Sequence, residues 1–430
     1  MLPAGSPLSD WLTWLETLSP NEIELGLDRV RSVFERLDLS PPAHVLLVAG
    51  TNGKGSSVAM LTAILRASGL RVGAYTSPHI NDYNERIVVE TDAATDEQII
   101  AAFEKIEAVR CDVPLTYFEF GTLAAMQLFA EAALDVWILE VGMGGRLDAT
   151  NVVDPTACLI TNVSLDHCGW LGEDIESIAY EKAGVMRRGV PAVYASGDAP
   201  RAVLDVAEDC GASLLLAGRD FGYESDDAEH WSWWGGDREL RGLRVPGLQG
   251  DFQLQNAAGV LALLFAAGLG GPLDNALLDE TLPTVELNGR SQALTLAGTD
   301  WLLDVAHNPA AAAALATNLE SRRLSGHSTW AIIGLLDDKD VEGIVAPLDD
   351  AVDHWTAVTA DSDRALPADE CGRRIANQAN RPCRVGDSLA EAMEYVRRKA
   401  PAGDTVLVMG SFYIVGPALQ ILELYSRPES

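Results

Sequence analysis

Apolar residues recur along this chain in two rhythms. One is the short continuous run: Val45-Leu46-Leu47-Val48-Ala49 after Pro41-Pro42, then Arg71 to Thr76, Asp135 to Gly142, Thr156 to Thr161, Val190 to Ala195 and Ser213 to Ala217. Such runs read as strands of a buried parallel sheet. The other is helical spacing, as in Leu27, Val30, Val33, Phe34 and Leu37 within the stretch Leu25 to Leu37, with Ser9 to Leu18 before it. Thr95 with Gln98 makes a capping box for a helix running towards Val109, and Asp174 to Met186 reads as a further helix. Gly218 to Val245, rich in Trp, Gly and Asp, reads as a β excursion, and Pro283 to Gly289 as a linker. Beyond it, strands at Trp301 to Val305, Thr329 to Ile333, His354 to Thr359 and Thr405 to Met409 alternate with helical stretches.

The first strand runs into Gly50-Thr51-Asn52-Gly53-Lys54-Gly55-Ser56-Ser57, and apolar residues at helical spacing follow from Ser57 to Ser68. A glycine-rich turn between a strand and a helix lets backbone N–H groups point inward, the helix N-terminus adds partial positive charge, and Lys54 supplies a point charge. That combination holds a polyphosphate. The standard phosphate loop puts Ser or Thr directly after its lysine; here Gly55 intervenes, so a magnesium-facing hydroxyl would come from Ser56 or Ser57. The expected fold is therefore α/β: a P-loop-type, mostly parallel sheet domain with helices on both faces over residues 1–284, a linker at 285–290, and a smaller Rossmann-like α/β domain over 291–430.

Composition narrows the partners. The formal net charge is −32, and the only lysines are Lys54, Lys105, Lys182, Lys339 and Lys399. Such a surface repels nucleic acid and anionic membranes, so an anionic ligand needs a locally basic pocket. The acidic excess also points to a salty cytoplasm, where screening relieves self-repulsion. Cys111, Cys158, Cys168, Cys210, Cys371 and Cys383 are scattered without C-x-x-C spacing and read as free thiols of a reducing compartment. Met1 to Trp14 shows no secretory pattern. The longest uncharged run, Ala257 to Leu273, is short for a membrane span and reads as a buried helix. The expectation is a cytoplasmic protein.

Several polar residues sit where open α/β sheets place ligands, at strand carboxyl ends. Ser77 follows one strand within Ser77-Pro78-His79, and reads equally as a serine in a pre-proline turn. Glu140 closes another strand, the position from which a carboxylate beside a phosphate loop holds magnesium. His167, in Leu165-Asp166-His167, is either a metal ligand or a solvated loop histidine. Lys182, in Glu181-Lys182-Ala183-Gly184, reads by spacing as a helix-surface lysine. Tyr117-Phe118-Glu119 suits stacking on a flat heterocycle, or core aromatics beside a capping glutamate.

These segments resemble a known family. Gly50 to Ser56, Ser77-Pro78-His79, Leu115-Thr116-Tyr117-Phe118-Glu119, Leu139-Glu140-Val141-Gly142, Gly144-Gly145-Arg146-Leu147-Asp148-Ala149-Thr150-Asn151, Leu165-Asp166-His167, Glu181-Lys182-Ala183-Gly184 and Asp304-Val305-Ala306-His307-Asn308-Pro309 stand in the order found in folylpolyglutamate synthases of the Mur ligase superfamily. The chain is most similar to the bacterial branch that also makes dihydrofolate. The likeness runs from about Trp11 to Gly416 and is weakest between Gly218 and Val245.

The resemblance implies an ATP-dependent ligase that phosphorylates the carboxylate of dihydropteroate or a reduced folate and lets the amine of L-glutamate displace phosphate. It implies ATP contacts at Thr51, Asn52, Gly53, Lys54, Gly55, Ser56, Asn256, Arg290, Asp304 and His307. It implies two Mg2+ ions, with Mn2+ as a substitute: one held by Ser77 and Glu140, the other by Glu140 and His167, beside a Lys182 that the family carboxylates to N-carboxylysine. Catalysis would rest on Lys54, Glu140, His167 and Lys182. Pterin contacts are implied at Thr116, Tyr117, Phe118, Glu119, Leu147, Asp148 and Ala149, and more loosely at Ile23, Glu24 and Leu25. The linker departs from the family, reading Leu287-Asn288-Gly289-Arg290 where Pro-Gly-Arg is usual, so a stiffening proline is lost. Nothing requires more than a monomer. Three other readings share parts of the pattern: a synthase that only lengthens folate tails, a Mur-type cell-wall ligase, and a nucleotide-binding regulator without catalysis.

Overall fold

A computed structural model of the chain describes residues 5–19, 24–323 and 326–424. Its first sheet is built from β1 (His44–Ala49), β2 (Val72–Tyr75), β3 (Ile87–Val89), β4 (Asp92–Ala93), β5 (Val136–Glu140), β6 (Ala157–Ile160), β7 (Pro191–Tyr194) and β8 (Ser213–Leu216). The order across the sheet is β4-β3-β2-β5-β1-β6-β7-β8. All pairings from β2 to β8 are parallel, and only β3 and β4 run antiparallel to their neighbours.

The unbroken apolar run of β1 is explained by burial on both faces. Val45, Leu47 and Ala49 enter one core with the helices Asp96–Arg110 and Tyr117–Glu131, while Leu46 and Val48 enter another with the helices Lys54–Ala67 and Phe252–Ala266. Each fully buried aliphatic side chain contributes roughly 2 kcal/mol, so this strand cannot slip register without loss on both sides.

The β excursion is a meander of β9 (Phe221–Ser225), β10 (His230–Gly235) and β11 (Arg238–Arg244). Trp231 and Trp233 of β10 enter the second core, where Trp233 Nε1 donates to the carbonyl of Ala258 at 3.1 Å. This meander thickens the core beneath the sheet.

The second sheet contains β12 (Gln292–Leu296), β13 (Thr299–Asp304), β14 (Thr329–Ile333), β15 (His354–Ala357), β16 (Cys383–Val385) and β17 (Thr405–Met409), in the order β12-β13-β17-β14-β15-β16. It is parallel except for β12. Leu407 and Met409 of β17 face one core, Val406 and Val408 the other, the same two-sided burial as in β1. This is the smaller α/β sheet expected beyond the linker. The six cysteines are all free thiols, and among the described residues no helix is long and apolar enough to cross a membrane.

Two local expectations change. The helix after the phosphate loop begins at Lys54, not Ser57, because the left-handed Gly53, at φ 83°, is its N-cap, and its polar first turn carries no apolar spacing to mark it. The apolar helix around Ala257 spans Phe252–Ala266 and stops where Gly268 follows at positive φ.

Candidate active site

Four adjacent parallel strands, β2, β5, β1 and β6, end side by side. Their carboxyl ends carry, in that order, Ser77, Glu140, the Gly50–Ser56 loop and the segment leading to His167. The register puts Glu140 opposite Val48, one residue before β1 gives way to the loop. Ser77, Glu140, the loop from Gly50 to Gly55 and His167, with Lys182, Arg290, His307 and Phe412, line one cleft.

The loop is shaped for a ligand. Gly50 lies at φ 144° and Gly53 at φ 83°, and a Cβ on either would run into Thr161 or the Asn256 amide. Thr51 N–H donates to the Asn162 carbonyl and Asn52 N–H to Asn162 Oδ1, each at 3.0 Å, so those two amides are taken. The amides of Gly53, Lys54, Gly55 and Ser56 have no protein acceptor among the described residues. Four uncapped N–H groups at a helix N-terminus suit a phosphate. Gln253 and Asn256 back this turn: Gln253 Nε2 donates to Ser56 Oγ at 3.2 Å, and Asn256 Nδ2 to Gln253 Oε1 at 2.9 Å.

Two lysines converge on one carbonyl. Lys54 Nζ donates to Gly50 O at 3.1 Å, and Lys182 Nζ donates to the same oxygen at 3.0 Å. Lys182 is only 4% exposed, not on the helix surface as spacing alone suggested, because its helix Ile175–Ala183 packs its inner face under the loop. Burial, then the Lys54 charge, lowers the Lys182 amine to about 7. Burial also lowers Lys54 and raises Glu140, while each partly offsets the other's shift. Burial holds the His167 imidazole down at about 4, so it is neutral across the physiological range. Ser77, Glu140, His167 and Lys182 all line this cleft, and among the described residues no three His, Cys, Asp or Glu side chains gather into a group that could hold a metal ion.

The second domain contributes from its own strand ends. Asp304, at the end of β13, accepts from Ser291 N–H at 2.7 Å, Ser291 Oγ at 2.9 Å and Ala306 N–H at 2.8 Å. It therefore fixes the linker and holds Arg290 in place; the guanidinium stacks 5.4 Å over the Phe412 ring. His307 Nδ1 lies 2.7 Å from the Val305 carbonyl, which turns Nε2 towards Asp166 at 3.6 Å.

Three further segments meet beside the loop. Gly26 N–H donates to the Leu147 carbonyl at 3.2 Å, and Arg29 bridges Glu24 to Glu119. Glu119 completes a capping box with Thr116, so its carboxylate faces Thr116 N–H and Arg29. Burial raises its pKa against those partners. Phe118 and Tyr117 remain half-buried, and Gly142 lets the Phe118 ring lie where a Cβ would sit 2.6 Å from Cζ. Asp148 is buried and spends its oxygens on Met143 N–H, Thr150 N–H and Thr150 Oγ1, holding Leu147 and Ala149 in a fixed loop. Glu24 and Leu25 are described; Ile23 lies outside the described residues.

The structure also brings in residues that sequence reasoning gave no role. Asp166 and Asn308 stood inside quoted motifs, and Lys339 was one of five lysines in a strongly acidic chain, which was the available signal. Arg86 and Phe412 carried no local signal at all. Arg86 is buried, with its Nε donating to His79 Nδ1 at 2.8 Å and its guanidinium 5.4 Å from the Tyr83 ring centre.

Comparison with known proteins places this architecture. Residues 48–264 match the Mur ligase middle domain and residues 289–412 the Mur ligase glutamate ligase domain. The dihydrofolate synthase/folylpolyglutamate synthase of Escherichia coli is 40% identical over 421 residues, covering 98% of this chain and 96% of that one. A solved structure of the E. coli protein FolC in complex with DHPP and ADP superposes with a TM-score of 0.93 at 39% identity, covering 98% of this chain and 99% of that one. A bifunctional folylpolyglutamate synthase/dihydrofolate synthase solved with Mn, AMPPNP and L-glutamate superposes with a TM-score of 0.91 at 42% identity, covering 98% of this chain and all (100%) of that one.

Proposed function

The chain belongs to the dihydrofolate synthase/folylpolyglutamate synthase family of Mur ligases, and from that premise we infer that it is an ATP-dependent ligase joining L-glutamate to dihydropteroate, which gives dihydrofolate, and to folates, which gives folylpolyglutamates. The observation that carries this reading is the row of Ser77, Glu140, phosphate loop and His167 on four neighbouring strand ends, with Arg290 and His307 facing it from the second domain.

A free carboxylate is a poor electrophile, so the γ-phosphoryl of ATP is transferred to it and the acyl phosphate is then attacked by the glutamate amine. The new C–N bond forms as phosphate leaves. The chain's task is positioning and charge neutralisation. In our reading the amides of Gly53 to Ser56 cradle the phosphates, Lys54 neutralises them, Arg290 with His307 bounds the nucleotide seat, and Asn256 backs the loop at Gly53. Asp304 acts on ATP through Arg290, which it orients.

Mg2+ or Mn2+ held by Ser77, Glu140 and His167, with carboxylated Lys182 beside them, would supply the charge that offsets the transferring phosphoryl group. Lys182 is suited to that modification: a neutral amine adds to carbon dioxide, forms the N–C bond and loses one proton, and an amine at about 7 is available at neutral pH. The carbamate replaces an amine, whose protonated form would crowd Lys54, with an oxygen donor.

The half-buried face of Phe118 beside Gly142, walled by Leu147 and the segment from Glu24, is the seat we assign to the pterin. All of these side chains come from one chain, so a monomer suffices.

The test is phosphate release from ATP and Mg2+ with L-glutamate, comparing dihydropteroate with reduced folates. Turnover with both acceptors establishes both activities. Turnover with folates alone reduces the enzyme to tail lengthening, and no glutamate-dependent release with either acceptor defeats the ligase reading.

A further inference from the structure

One carboxylate outside the assigned residues joins the two domains. Asp166 Oδ1 accepts from Lys339 Nζ at 3.0 Å, and Oδ2 accepts from Asn308 Nδ2 at 3.0 Å, both second-domain residues. On its own side it accepts from His167 N–H at 2.9 Å. Asn308 carries the connection onward: its Nδ2 donates to Asn52 Oδ1 at 3.0 Å, and Asn52 Nδ2 returns a bond to Asn308 Oδ1 at 3.2 Å. Asn52 is in turn anchored through its carbonyl by Thr161 Oγ1 at 2.6 Å and Asn162 Nδ2 at 2.9 Å. An unbroken path thus runs from Lys339 through Asp166 and Asn308 to the apex of the phosphate loop.

The pair is dry. The Asp166 and Lys339 side chains are each 8% exposed, and the other carboxylate on Lys339, Asp338 at 3.3 Å, is an exposed neighbour on its own loop. A buried ion pair adds little net stability, because desolvation cancels most of the attraction, but it fixes geometry strongly: the charges are satisfied only at one mutual placement of the two domains. The placement it fixes is the one in which His307 Nε2 also lies 3.6 Å from Asp166 Oδ2 and Arg290 lines the cleft together with the loop.

We propose that Asp166, which lines the cleft and is paired with Lys339 and Asn308, is a positioning residue that sets the second domain's approach to the phosphate loop, and so controls nucleotide use. The proposal rests on the ligase reading for its activity readouts. It predicts a pattern of loss: the seat assigned to the pterin lies wholly in the first domain, so folate affinity should not change.

The test is a double-mutant cycle in the full chain with Asp166→Asn and Lys339→Met, following kcat, KM for ATP, KM for the folate and melting temperature. A coupled buried pair of this kind predicts that each single variant loses about 30-fold in kcat/KM for ATP and melts below the wild type, because it leaves a buried charge uncompensated, that the double variant is within about 3-fold of the worse single and recovers melting temperature, and that the folate KM holds. Small-angle scattering with a non-hydrolysable ATP analogue should give a larger radius of gyration for every variant than for the wild type. Additive losses, a folate KM that rises with the ATP KM, or wild-type scattering in the variants would overturn the proposal. Should Asp166→Asn fail to fold, Lys339→Met alone reads the same quantities. If the wild type releases no phosphate with any acceptor, the ligase reading fails, and scattering and analogue binding still decide the latch.

Discussion

Replacing Lys182 by methionine should stabilise the protein at neutral pH while removing its turnover. The amine is held at about 7 against an ordinary 10.5, by burial first and by the Lys54 charge second. At about pH 7.5 the unfolded chain carries this proton and the folded chain mostly does not, and releasing it costs about 4 kcal/mol of folding free energy, at about 1.4 kcal/mol per pKa step. Methionine fills similar volume and forfeits one hydrogen bond to Gly50 O, worth about 1 kcal/mol, so the variant should gain about 3 kcal/mol. The sign follows from proton counts. Between about 7 and 10.5 the unfolded state binds more protons, so wild-type stability climbs with pH through that window, and the methionine variant lacks the climb. The assay is urea unfolding in metal-free buffer purged of carbon dioxide, near pH 7.5 and near pH 10. A variant no more stable than the wild type near pH 7.5, or a gap that fails to narrow towards pH 10, refutes the reasoning. Lys182→Ala should likewise lose nearly all turnover yet bind ATP, with partial recovery on adding short carboxylates; wild-type turnover without them would sink the carbamate role.

Other expectations are as direct. Gly50→Ala places a side chain at φ 144° against Thr161 and should abolish the rise in melting temperature that ATP analogues give the wild type. Arg29→Ala strips Glu119 and Glu24 of their shared partner; leaving the buried Glu119 carboxylate uncompensated should cost about 3 kcal/mol and raise the folate KM while the ATP KM holds. Trp233→Ala removes a fully buried indole and its bond to Ala258, and should cost about 3–5 kcal/mol by denaturant unfolding with both KM values intact. With a net charge of −32, the melting temperature should rise from low to molar salt, and a flat response would count against screened self-repulsion as a term in stability.

Much of the site was readable because its parts are local. A glycine-rich turn between an apolar run and a helical pattern is visible as spacing, and Glu140 closing a buried strand is visible as one charge after apolar residues. Lys182 was misplaced by the same logic, since Ile175–Ala183 gives no strong amphipathic stripe and nothing near it in sequence says which face packs. Glu119 could be read as a capping glutamate or as a pterin contact; the structure shows it capping, and its tie to Arg29, ninety positions away (|i−j| = 90), had no sequence signature. Arg86 drew no notice, because a buried arginine looks like any surface arginine until its tyrosine neighbours fold around it.

By itself the sequence determined the two α/β domains, the phosphate loop and the strand ends that carry Ser77, Glu140 and His167, because strand runs, helical spacing and turn glycines are set by neighbours a few residues apart. Motif order alone indicated the family. Tertiary structure decided the rest: that Lys54 and Lys182 share one carbonyl, that Asp304 serves the linker, and that Asp166 meets Lys339 and Asn308 across the domain boundary. Those pairings join residues far apart in the chain, and their energies depend on desolvation, which exists only once both sheets have closed around them.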